Sequence, residues 1–525
     1  MIPPSNIHKF PLRFFIILIL LLSIFWPLSA YGQKKPSSPK YVFLFIGDGT
    51  SFPQRSAAEY YQSNSATAGK PDIAGLRVEN TVFKNISSVK LKRLVMNTFP
   101  AQGISTTYSA SSLVTDSAAS ATAIATGHKT RDGVIGMDIK AKKKLTSIAK
   151  IAKKKGRKVG IITSVSIDHA TPAAFYANQP SRSSYYEIAA QAPKSGFDYF
   201  AGGGFKQPKG AGGNKKDIFV LLSENGYKIT RDRADFGSLS AASGKVVAIN
   251  PVLDAESALP YSVDRSGNEI TLAEFVEKGI ELLDNDAGFF MMVEGGKIDW
   301  ACHANDAISA ITDVIDLDKA VETAYEFYNK HPADTLIIVT GDHETGGMTV
   351  GLAGARNDNF VARISKQKGS YMAFNKLLFE MKREDPELTL EKLAPIIENF
   401  FGLHLYSDDE IKKLQAASAA GDVAAAEKLA YALLPFEVES IKKGLSNTLL
   451  PVGSRPGQYR NYGMEYEPLT ISLTHVLNNK AGIGWTTFSH SGIPTPVSAV
   501  GIGQEHFIGY YDNTDIFKKI VDIAY

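Results

Sequence analysis

The chain of 525 residues contains a single cysteine, Cys302, so it cannot form an internal disulfide. Its stability must come from an apolar core, to which bound metals can add. It has little charge bias: 57 Lys and Arg against 54 Asp and Glu leave a formal net charge of +3. That balance offers no electrostatic footprint for nucleic acid, and no nucleic-acid partner is expected. Beyond the N-terminal stretch no segment is long and apolar enough to span a bilayer, which takes ~20 apolar residues. There is no internal repeat. The Lys clusters at 142–144 and 153–155 read as solvated faces.

At the N-terminus, Lys9 and Arg13 precede an apolar run over 14–26, and the small residues Ser29, Ala30 and Gly32 follow. This is the order of a secretory signal peptide. Residues 1–32 are read as that signal, cleaved near Ala30 or Gly32; the alternative is an uncleaved anchor. Export then places the mature chain, 33–525, in the periplasm or outside the cell. No cysteine ends the run, which argues against a lipid anchor.

The first core element is the apolar run 41–46, which breaks at Gly47-Asp48-Gly49. A helical pattern at 145–155 leads to a strand at 158–163. A third strand covers 289–293, a long helical pattern 304–329, and a fourth strand 335–340. Strands alternating with helices predict an α/β fold, a mostly parallel central sheet flanked by helices on both faces. In such sheets ligands bind beyond the carboxyl ends of the strands. Residues 203–216 are rich in Gly and Lys and read as a surface loop. Residues 357–480 have helical periodicity, as at 388–401 and 408–434, and read as a helical insertion or cap.

The strand ends carry the chemistry. The first ends at Asp48, the third at Glu294 with Asp299 and His303 following at i and i+4, and the fourth at Asp342-His343. Any one of these is ordinary; together they point to metal binding. Imidazole with carboxylate suits zinc, and carboxylate with hydroxyl suits magnesium. Asp116-Ser117 opens an Ala-rich stretch that favours helix. Ser117 is then near a helix N-terminus, where an alkoxide or a phosphate is stabilised.

Several motifs in one order resemble the alkaline phosphatase family. They are Phe45-Ile46-Gly47-Asp48-Gly49, Asp116-Ser117-Ala118-Ala119-Ser120-Ala121-Thr122, His169-Ala170-Thr171-Pro172-Ala173, Val293-Glu294-Gly295-Gly296-Lys297-Ile298-Asp299, Thr340-Gly341-Asp342-His343-Glu344 and Ser489-His490-Ser491-Gly492. The resemblance runs from about residue 41 to the C-terminus. It implies hydrolysis of small phosphate monoesters through a phosphoserine on Ser117, with two Zn²⁺ and one Mg²⁺. One zinc would be bound by Asp299, His303 and His490. The other would be bound by Asp48, Asp342 and His343 and would contact Ser117. The magnesium would be held by Asp48, Thr171 and Glu294. Arg182 stands at the family's phosphate-binding arginine, where a guanidinium can grip two oxygens at once.

His169 stands where some members have aspartate beside the magnesium, and Trp300 where others have Lys or His near the phosphate. Thr50 replaces a common methionine. With Asp116, His169 and Trp300 are expected around the site without binding substrate directly. The helical insertion returns the chain to the ligand His490, so it is a candidate for shaping the entrance or for a contact in a homodimer. Rival substrates for the same metal core are phosphodiesters, sulfate esters or one sugar phosphate. A non-catalytic binding protein is disfavoured, because every expected ligand is present. His128, His331, His404, His475 and His506 are given no role, and Cys302 is read as an inert buried thiol.

Overall fold

The computed structural model describes residues 38–65, 90–353, 360–455 and 466–525. The signal-peptide reading of 1–32 falls outside them. Among the described residues no helix is long and apolar enough to cross a membrane.

Ten strands form one sheet: β1 (Tyr41–Gly47), β2 (Ala101–Thr106), β3 (Lys158–Thr163), β4 (Tyr199–Gly202), β5 (Tyr227–Thr230), β6 (Lys245–Ile249), β7 (Phe289–Gly295), β8 (Thr335–Gly341), β9 (Thr495–Gly501) and β10 (Gly509–Asp512). Their order is β10-β2-β9-β8-β1-β7-β3-β4-β6-β5. Only β9 runs antiparallel to its neighbours β8 and β2. The expected mostly parallel sheet is therefore present, with its middle at β8-β1-β7.

The apolar run at β1 is continuous because the strand is covered on both faces. All seven of its residues are buried. Phe43 and Phe45 pack into one layer with Ile311, Val314 and Leu317. Val42, Leu44 and Ile46 pack into the other with Ala118, Ala121 and Ile124. Those partners belong to two helices that cover opposite faces, α1 (Ser117–Thr126) and, with α2 (Ala170–Tyr176) and α3 (Lys297–His303) between them in the chain, α4 (Ala307–Lys330). The register sets Gly47 level with Gly295 on one side and Gly341 on the other. Asp48 and Asp342 consequently emerge level with one another, and Glu294, paired with Ile46, sits two positions before them on β7.

The long helix starts three residues later than its periodicity suggests. Asp306 caps it, accepting the Ser309 N–H at 3.3 Å, and Asn305 turns with a φ of 49°. Residues 304–306 thus serve as the hinge between α3 and α4.

The segment expected to be helical contains α5 (Tyr371–Glu384), α6 (Leu390–Phe401), α7 (Asp408–Ala419), α8 (Val423–Ala430), α9 (Pro435–Leu449) and α10 (Pro468–Lys480). The single pattern read over 408–434 is broken in the structure. Gly421 adopts a φ of 95°, and Asp422 caps the next helix through the N–H groups of Ala424 and Ala425. These helices have a core of their own, built on Phe374, Leu378, Leu393, Ile397, Ile441 and Leu473. The N-terminus of α5 is fastened to the sheet domain. Asp306 accepts the Tyr371 N–H at 2.8 Å and Gln367 Nε2 at 3.0 Å, and Asp264 accepts the Ser370 N–H at 2.7 Å.

One buried acid in α4 makes stability depend on pH. Asp313 accepts the Ser262 N–H and hydroxyl, both at 3.0 Å. Burial, with Asp316 adding to it and Arg265 opposing, raises its pKa to about 7. Because the folded value lies above the unfolded one, its contribution is complete below about pH 4 and is lost as pH rises through about 7. Relative to Asp313→Asn, the wild type should lose roughly 2 kcal/mol of stability between pH 5 and pH 8. Paired thermal melts at the two pH values check this, and parallel pH dependences would contradict it.

Candidate functional site

The loop after β1 brings Asp48 against the start of α3. Gly49 has a φ of +70°, and a Cβ there would lie 2.7 Å from the Asp299 Cα. Glycine is required for that approach. A two-residue ladder pairs His490 with Thr345 and Ser491 with Glu344. It lays the His490 ring on His343, with centroids 3.6 Å apart.

Asp299, His303 and His490 converge first. The Nδ1 of His303 faces the Phe488 carbonyl at 2.6 Å, and the Nδ1 of His490 faces the Thr115 carbonyl at 2.7 Å. A carbonyl only accepts, so each Nδ1 carries a hydrogen and each neutral ring presents a lone pair at Nε2. The two Nε2 atoms lie 3.1 Å apart, and 3.4 and 3.6 Å from Asp299 Oδ1. This arrangement needs a positive charge at its centre. The same attraction acts on the ring itself: against the effect of burial, Asp299 raises His303 to about 9.

Asp48, Asp342 and His343 form a second group, wholly buried. Asp342 Oδ1 accepts the N–H groups of Gly49 and His343 at 3.1 and 2.9 Å, while its buried Oδ2 has no partner. The Thr345 hydroxyl donates to Asp299 Oδ1 at 2.6 Å and so accepts from His343 Nδ1 at 3.2 Å. His343 Nε2 therefore also presents a lone pair, 3.3 Å from Asp48 Oδ1 and 3.4 Å from Asp342 Oδ2.

Asp48, His169 and Glu294 form the third group. Glu294 takes the Thr163 hydroxyl on one oxygen; the other oxygen and His169 Nδ1 are buried without partners. The Thr171 hydroxyl lies 3.5 Å from Asp48 Oδ2. His169 comes closer to this group than its expected place beside it. Burial and then the neighbouring carboxylates hold Asp48 well above the usual carboxylate range, and burial raises Glu294 to about 7. Buried acids with unpartnered oxygens and converging imidazole lone pairs fit divalent cations.

Ser117 is the first residue of α1, capped by Asp116, which accepts the Ala119 N–H at 2.9 Å. Its Oγ is 3.1 Å from His343 Nε2 and 3.4 Å from Asp48 Oδ1. Asp116 also accepts Arg182 Nη1 at 3.0 Å, and Arg182 Nη2 lies 3.4 Å from His169 Nε2. Trp300 sets its ring edge-on to His169, with centroids 5.7 Å apart. Arg182, His169, Asp299, Trp300 and His303 open on a cavity of about 1380 Å³, which Met372, Lys376 and Phe379 of α5 also line.

The sequence of the family described as alkaline phosphatase matches residues 39–440. The chain belongs to the alkaline phosphatase family. It is a phosphomonoester hydrolase with a metal site. Alkaline phosphatase 3 of Bacillus subtilis (strain 168) is 29% identical over 504 residues, covering 94% of this chain and 91% of the relative. The cold-active alkaline phosphatase of Shewanella sp. superposes with a TM-score of 0.67 at 27% identity, over 92% of this chain and 99% of that one. A histidine-to-glutamate mutant of TAB5 alkaline phosphatase, solved with Mg bound in its M3 site, superposes with a TM-score of 0.59 at 27% identity, over 93% and 99% of the two chains.

Two contributors to this phosphatase site were not singled out from sequence. Thr345 joins two of the groups through one hydroxyl; its only signal is its place just after Asp342-His343-Glu344. Lys297 is fully buried, bonded to Asp254 and 4.8 Å from the Trp300 ring centroid. Its signal was a single lysine between the two candidate ligands Glu294 and Asp299. The histidines given no role lie outside the three groups. His475, for instance, bonds Asn305 at 2.9 Å. Cys302 is buried, and burial raises its pKa, as suits an inert thiol.

Proposed function

We propose that this phosphatase hydrolyses phosphate monoesters through a phosphoserine on Ser117, at a site for two zinc ions and one magnesium ion. One observation carries the reading: the Ser117 Oγ sits within hydrogen-bonding reach of both Asp48 and His343, at the edge of a buried group with a partnerless carboxylate oxygen. Zinc suits Asp299/His303/His490 and Asp48/Asp342/His343, where imidazole and carboxylate mix. Magnesium suits Asp48, Glu294 and Thr171, with oxygen donors, and His169 adds a nitrogen to that group. When bound, the metals supply Lewis-acid stabilisation of the attacking and leaving oxygens and neutralise the phosphate.

The chain's own groups do the rest. Asp48 and His343 hold the Ser117 Oγ in place, and the N-terminus of α1 favours negative charge there. Asp116 aims the Arg182 fork, whose planar donors match two equatorial phosphate oxygens. The Asp299, His303 and His490 group would stabilise the oxygen of the departing alcohol. Residues 33–525 are taken as the catalytic unit, with 357–480 as its cap, and residues 1–32 as the signal that exports it.

The reading is tested with a phosphate monoester, a phosphodiester and a sulfate ester of the same leaving group, assayed on metal-analysed protein. The monoester should be turned over fastest, with zinc and magnesium both bound. Dominant diester or sulfate activity would overturn it.

His169 sets a second expectation. Imidazole is a poor partner for magnesium, so the third ion should exchange readily. Activity should fall on prolonged dialysis and return with added Mg²⁺, and His169→Asp should remove that dependence. Wild-type activity indifferent to dialysis and to Mg²⁺ would contradict this.

A further inference from the structure

We infer that the cavity beside the metal-binding groups is a subsite for a planar, heteroaromatic leaving group, of the kind a nucleoside monophosphate carries; this rests on the phosphomonoesterase reading above. Its volume of about 1380 Å³ is far larger than a phosphate group requires and exceeds that of most small-molecule pockets, ~300–1000 Å³. Two aromatic residues are tied by backbone to the group where the alcohol departs. Trp300 follows Asp299 directly, and Phe488 holds His303 through its carbonyl at 2.6 Å. Both line the cavity.

Each ring is braced from behind. Trp300 has the Lys297 ammonium 4.8 Å from its centroid and the His169 ring 5.7 Å away. Phe488 stacks on His475 at 5.7 Å and 5°. Tyr371 packs edge-on against Tyr261 at 5.8 Å, and Met372 and Phe379 of α5 line the same cavity. Phe379 is 51% exposed, so its ring is open to a ligand in the cavity. Asp306 and Asp264 fasten the N-terminus of this helix. Rigid aromatic walls lose little entropy when they close on a flat ring. Of the cavity's carboxylates, Asp254, Glu256, Asp264 and Glu467 are engaged by Lys297, Lys206, Ser370 and Arg455. A small sugar phosphate would leave these walls unused.

The test compares adenosine 5′-monophosphate with ribose 5-phosphate on the metal-loaded enzyme. The two share a leaving oxygen and differ only by the base. We expect kcat/KM to favour the nucleotide by about tenfold, the size of one base–aromatic stack, chiefly through KM. The double variant Met372→Ala/Phe379→Ala should bring that ratio toward one. Adenosine, which has no phosphate, should compete with ribose 5-phosphate. A wild-type ratio near one, no competition by adenosine, or a ratio that the double variant leaves unchanged would overturn the subsite. Hydrolysis of neither ester would instead overturn the phosphomonoesterase reading, so the two failures are distinguishable.

Discussion

Ser117→Ala should lower kcat by about four orders of magnitude or more, the scale of losing a catalytic nucleophile. The same variant should yield no acid-stable phosphoprotein after a brief pulse with labelled substrate, whereas the wild type yields one. Its metal content should stay close to the wild-type level, because Asp48, Asp342 and His343 remain to hold the ion beside it. The methyl that replaces the hydroxymethyl leaves the start of α1 capped by Asp116. A folded, metal-replete variant with wild-type turnover would show that another group attacks phosphorus.

Asp48→Asn is expected to have the next largest effect, in two opposite directions. Asp48 is shared by the second and third groups, so its charge helps to hold two ions. The amide should bind metal weakly at both places, and activity should fall by about three orders of magnitude with it, the scale of losing a central electrostatic contributor. Without metal, however, the variant should melt above the wild type. It removes one of four buried acids, Asp48, Glu294, Asp299 and Asp342, that otherwise crowd together. Metal analysis and melts with and without chelator check both halves. Full metal retention with normal turnover would show that Asp48 bridges nothing.

The middle of the sheet was legible because strands buried on both faces read as unbroken apolar runs. β1, β7 and β8 stand out in that way, and Asp48, Glu294 and Asp342 follow at their ends. The outer elements were not legible. β5 and β10 are short and mixed, and the pattern over 408–434 hid a break made by Gly421 and Asp422. His490 illustrates the limit within the site. It lies on no periodic element, and only family resemblance marked it; its two-residue ladder with Thr345 is a pairing between distant segments. Thr345 and Lys297 were missed for the same reason. Each acts through a neighbour far away in sequence, and local spacing carries no trace of that neighbour.

The helices of the 357–480 segment pack mainly around Leu393, Ile441 and Leu473, with Tyr371, Met372 and Ile471 of α5 and α10 reaching one of the layers that cover the sheet. The reacting groups rest on the sheet, while one wall of the cavity rests on α5. Inheritance can therefore act on the two separately. Drift or selection in the cap can redraw which esters this lineage consumes while the phosphoryl chemistry stays intact, so substrate range is expected to diverge faster among descendants than the reaction itself.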